Sequence, residues 1–204
     1  MIEFILSKIN LLILVVALFS ILSFFTLNVG GIFLAGEVKQ ELDKYAYTLN
    51  GMIVAPTTCD SKPTSIPNKY ASFGNNIFYT MKISQFPDPN GIAGTRVIFS
   101  VSDVRRPTTI LAASSLATQA EVVIMDVSSG NVTTLTPGEE LTLDPQGVPP
   151  TNAFYAVKSV KLGKTTLYLF PCAITSAGDT CAGSTGAKAQ VNNYLSTLGE
   201  SFVC

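Results

Sequence analysis

Two patterns of hydrophobic and polar positions meet near residue 36. From Ile9 to Gly36 the chain has 28 residues without a charge, INLLILVVALFSILSFFTLNVGGIFLAG. As a helix this run is about 42 Å long, and about 20 apolar residues cross a bilayer core. It is apolar on every side, so it must be enclosed by lipid or by protein. It is also longer than the apolar region of an ordinary secretory signal. After Gly36 the pattern changes to EVKQELDKYAYTLNGMIV. Here Val38, Leu42, Tyr45, Leu49 and Met52 recur at spacings of four, three, four and three, a stripe along one helix face. Lys39, Glu41, Asp43 and Lys44 lie off that stripe. The pattern predicts one helix from near Phe4 to about Asn50, with Gly30, Gly31 and Gly36 marking a bend or loosened turn.

Beyond the helix the period shifts. Residues 54–75 hold several Pro and no sustained period, and read as a linker. Short runs with turn signals follow: 76–84, 95–102 with Val97, Phe99 and Val101 at period two, 121–127, 132–135, 141–143, 154–162 and 165–170. Gly163-Lys164 and Ser129-Gly130-Asn131 read as hairpin turns, and 86–94 as a loop. The stretch 109–120 is rich in Ala and Ser and fits neither period. Residues 186–198 suggest a short closing helix. The expected class is therefore α+β, a long N-terminal α-helix followed by an antiparallel β-sandwich-like head. The expected organisation is a helix over 1–53 (apolar 9–36, amphipathic 37–53), a linker over 54–75 and a β-rich extracellular head over 76–204.

Composition narrows the function. The 204 residues carry 13 bases and 14 acids, net charge -1, and only 13% are charged. A nucleic-acid partner needs a basic face, which this balance does not supply. There is no His, the commonest general base and imidazole ligand. From residue 51 onward there are ten acids and ten bases, so the head is neutral, which suits packing against copies of itself and equally suits a thin glycan coat. No acid–base constellation stands out. GDTCAGSTGAK resembles a phosphate loop, but Ala187 separates Gly186 from Lys188. Asp88-Pro89-Asn90-Gly91 reads as a turn, and Arg105-Arg106 as a solvated pair. The reading is a non-enzyme without cofactor or metal.

Four cysteines, without Cys-x-x-Cys, read as two disulfides of an oxidising compartment. Three connectivities exist. Cys172–Cys181 closes a short loop of small residues, which leaves Cys59 for Cys204, a link from the C-terminus to the neck. Asn131-Val132-Thr133 is an N-glycan acceptor triplet.

An unbroken apolar N-terminal helix, continued as a one-faced helix and then a β-rich head, resembles the type IV pilins, and more closely the archaeal ones with an all-β head. The resemblance rests on the first 53 residues by pattern and on the remainder by class. Two positions depart from the family pattern: Ser7-Lys8 stands in reversed order, and Glu3 lies outside the apolar run. The resemblance implies a precursor held in the membrane and then a homopolymer, an extracellular filament on the cell surface. Leu11, Leu12, Leu14, Val15, Leu18, Phe19, Leu22, Phe24 and Phe25 would form its core, and Val38, Leu42, Tyr45, Leu49 and Met52 would hold the head to the helix. A single-span anchored binding domain, or an archaeal virus surface protein, is the alternative.

Overall fold

A computed structural model describes residues 2–72, 75–87, 94–127, 131–175, 178–181 and 186–199. Helix α1 spans Ile2–Val54 without interruption, 53 residues, or about 80 Å. Gly30, Gly31 and Gly36 neither end nor interrupt it. A single helix therefore joins the apolar run to the head.

The strands that follow are β1 (Cys59–Ser65), β2 (Tyr70–Ser72), β3 (Asn75–Ile77), β4 (Tyr79–Pro87), β5 (Thr95–Asp103), β6 (Arg106–Thr118), β7 (Glu121–Asp126), β8 (Thr133–Thr134), β9 (Glu140–Leu143), β10 (Ala153–Lys161), β11 (Lys164–Cys172), β12 (Ile174–Thr175) and β13 (Gly178–Asp179), and α2 covers Ala187–Thr197. They form a five-stranded sheet, β1-β10-β11-β7-β8, a four-stranded sheet, β6-β5-β4-β9, and two small ribbons, β2-β3 and β12-β13. The class is α+β with mostly antiparallel sheets. One pairing departs from the antiparallel expectation, since β7 runs parallel to β11.

Three sequence expectations change. Residues 54–75 are not a plain linker, because β1 pairs with β10 along its whole length, from Cys59↔Ser159 to Ser65↔Ala153. β1 is polar and contains Pro63, which disguises it as a loop. It is an edge strand, where a missing N–H is tolerated. The Ala/Ser-rich stretch near residue 110 is a strand, β6, held by β5 and lying against α1. Its short side chains leave room for the helix, and Ser114 donates to Asp43 of α1 across 2.6 Å. The run 76–84 is two strands, β3 and β4, and β4 extends to Pro87. The tip 88–93 and the turn residues 128–130 lie outside the described residues.

Two apolar clusters organise the head. The first takes α1 on one side and inward residues of β4, β5, β7, β9, β10 and β11 on the other. The second lies on the opposite face of the five-stranded sheet, under α2, where Ala187, Val191 and Leu195 meet Tyr155, Val157 and Phe170. β10 and β11 are covered on both faces, which explains their near-continuous apolar sequence. Phe154 and Ala156 point to the first cluster, and Ala153, Tyr155 and Val157 to the second. Cys172 and Cys181 are joined, with Sγ atoms 2.07 Å apart. Cys59 is disulfide-bonded as well, while Cys204 lies outside the described residues.

Candidate assembly surface

The helix α1 carries two surfaces of opposite fate. On its C-terminal part Leu34, Val38, Leu42, Tyr45, Ala46, Leu49 and Met52 are all buried in the first cluster. The stripe read from the sequence thus starts one turn earlier, at Leu34, and includes Ala46. The polar positions between them stay out of the core. Lys39 bonds Asp43 one turn on at 2.6 Å, and Lys44 approaches Glu41 at 3.7 Å. The Lys39 ammonium and the Ser114 hydroxyl hold the Asp43 carboxyl below its ordinary range. These exposed pairs add a few tenths of a kcal/mol each; apolar burial sets the attachment.

Aromatic side chains brace the same junction. Tyr45 meets Phe154 edge-on at 5.8 Å, and Tyr70 stacks obliquely on Tyr79 at 4.7 Å. Tyr79 donates to the Pro67 carbonyl, and Tyr45 donates to the Ser65 carbonyl at 3.4 Å. The end of β1 is thereby tied to the helix, and the segment between β1 and β2 to β4. Burial raises all three phenols, Tyr70 to about 12. A cleft of about 560 Å³ opens beside them, lined by Glu37, Glu41, Lys62, Lys69 and the tyrosines Tyr45 and Tyr70. Its charges are mixed in sign, so it has no field for one kind of ion.

The far end of α1 is closed by a residue from another strand. No basic side chain lies in the helix's last turn. Lys158 of β10 is only 2% exposed, and its ammonium donates to the Ala55 carbonyl. A cation there complements the negative end of the helix dipole. Sequence reasoning passed over this residue. Its signal was a Lys directly after the apolar run Ala153–Val157, at the parity of Phe154 and Ala156.

The described N-terminal span of α1 lies outside both clusters of the head. Ser7–Phe25, 19 residues of mean hydropathy 2.3, is 0% buried. It has the length and composition of a membrane anchor or a signal sequence. Leu11, Leu12, Leu14, Val15, Leu18, Phe19, Leu22, Phe24 and Phe25 are between 40 and 67% exposed. Ile32 and Phe33 are exposed as well, immediately before buried Leu34. The change from exposed to buried is abrupt and occurs inside one helix.

Comparison of the chain with family models, with curated proteins and with solved structures finds no match.

Proposed function

We propose that this chain is a structural subunit that polymerises with copies of itself into an extracellular filament of type IV pilus-like build. The apolar half of α1 is held in the membrane first and in the filament core afterwards, and the sheets form a sandwich-like head outside it. The observation that carries this reading is the continuity of α1. Its exposed apolar half and its buried stripe belong to one helix with no hinge residue ending it. An anchored domain needs only a tether between span and head. A polymer needs each head fixed relative to the segment that packs, and a continuous helix supplies that.

The energetics are consistent with such a role. Outside a bilayer, enclosing the nine large apolar residues of the span named above removes them from water, at about 1.5–3 kcal/mol each. Roughly 15–25 kcal/mol per subunit stands against the cost of association. Within lipid the same side chains are already satisfied, so transfer from membrane to filament draws on close helix packing rather than on the hydrophobic effect.

Negative-stain microscopy of shed cell-surface material, labelled with antibody to the head, tests the reading. Filaments of uniform width carrying the label are expected. Leu14→Asp should abolish them and leave the head folded, because Leu14 touches no part of the head core. A chain recovered from the cell surface only as a detergent-soluble monomer sinks the proposal and favours the anchored domain.

A further inference from the structure

The chain contains eleven asparagines, and only Asn131 begins an Asn-x-Ser/Thr triplet. The fold treats that triplet in a particular way. Val132 is partly buried against the second apolar cluster, under the layer that holds α2. Asn131 and Thr133 on either side of it are exposed. The carboxamide and the hydroxyl thus both reach solvent, while the half-buried residue between them anchors the backbone. Thr133 opens β8, which pairs with β7 at Met125↔Thr134 and Asp126↔Thr133. β8 is the last strand of its sheet, and the second cluster lies on the face turned away from α1.

We propose that Asn131 is an N-glycosylation site. The co-reactant is a lipid-linked oligosaccharide activated at its anomeric carbon by a phosphate leaving group. The Asn131 carboxamide nitrogen forms the new bond to that carbon. The bond from carbon to phosphate oxygen breaks, its electron pair stays on the phosphate, and an amide proton passes to a base of the transferase. The exposed Thr133 hydroxyl is the second recognition element. The apolar helix holds the acceptor at the membrane, where a lipid-linked donor resides. A neutral head with few charges also gains from a glycan a hydrated surface that its side chains do not supply. The site does not rest on the filament reading, since an anchored monomer would carry it equally.

The experiment is intact-mass and peptide-mass measurement of the chain isolated from the surface of its own cells, as wild type, Asn131→Gln, Thr133→Ala and Thr133→Ser. The wild type should exceed its sequence mass by whole sugar residues, all on the peptide containing Asn131. Asn131→Gln and Thr133→Ala should lose that excess completely, and Thr133→Ser, which keeps the hydroxyl, should retain it. A wild-type chain at its sequence mass overturns the proposal. So does an Asn131→Gln chain that keeps the excess, which would place the sugar on a hydroxyl instead.

Discussion

Single residues carry costs here that their neighbours explain. Lys158 is an ammonium taken out of water, which is tolerable only because it meets the carbonyl end of α1. Leu162 is harder to account for by packing. It sits at φ +53 beside Gly163 at φ +77, in the two-residue turn between β10 and β11, and it is fully exposed. Positive φ at both positions is the twist-matched hairpin turn that Asn-Gly favours. Leu162→Asn should therefore stabilise the head by about 0.5–1 kcal/mol, read as a higher midpoint in guanidinium unfolding with an unchanged slope. The buried phenols bear on pH. Burial raises Tyr45, Tyr70 and Tyr79 above the ordinary value of 10.0. In the unfolded chain they ionise near 10, while in the folded head they keep their protons longer. Their contribution is whole below about pH 10 and is lost as pH rises through the folded values. Unfolding free energy should be flat from pH 7 to 9 and fall above 10, and Tyr70→Phe should make that fall shallower. An equally steep fall in the variant would remove Tyr70 from the account.

At the level of elements, legibility in the sequence followed the strength of the periodic signal. The stripe on α1 was readable because five large side chains repeat at helical spacing, and all five are buried. β5 was readable from Val97, Phe99 and Val101, which are buried at period two. β1 was not, because an edge strand needs no apolar alternation and its polar sequence with Pro63 matches a loop equally well. β6 was ambiguous because Ala and Ser have no strong preference, and its place is set by β5 and α1 rather than by local propensity. Lys158 could not be paired with the helix end from sequence alone, since that contact joins residues 103 apart in the chain. The attachment of α1 should break where the stripe is deepest. Leu42 and Leu49 are 0% exposed, so Leu42→Asp or Leu49→Asp would bury a carboxylate among apolar groups. Each should cost more than 3 kcal/mol, about what a buried unpaired charge removes. Limited proteolysis and cellular abundance report it, and wild-type behaviour in both variants would overturn the packing assignment.

The whole molecule is a β head that borrows part of its core from a helix whose other part it leaves bare. Seven residues of α1, from Leu34 to Met52, lie in the first cluster. At about 1.5–3 kcal/mol for each of the six large side chains they supply roughly 9–18 kcal/mol, comparable with the whole stability of a domain this size. The bare part, Ser7–Phe25, contributes nothing to that core. Two truncations should therefore behave in opposite ways. A chain beginning at Ile32 keeps all seven α1 residues of the first cluster and loses the apolar span. It should fold, remain soluble without detergent and unfold cooperatively. A chain beginning at Ala55 keeps every strand and loses the helix. Its first cluster would face water across β4, β5 and β10, and it should aggregate or unfold. Circular dichroism and gel filtration of the two chains decide the matter. A folded, monomeric head lacking all of α1 would show that the helix is an appendage. Failure of the chain beginning at Ile32 would show instead that the apolar span supports the head as well as whatever encloses it.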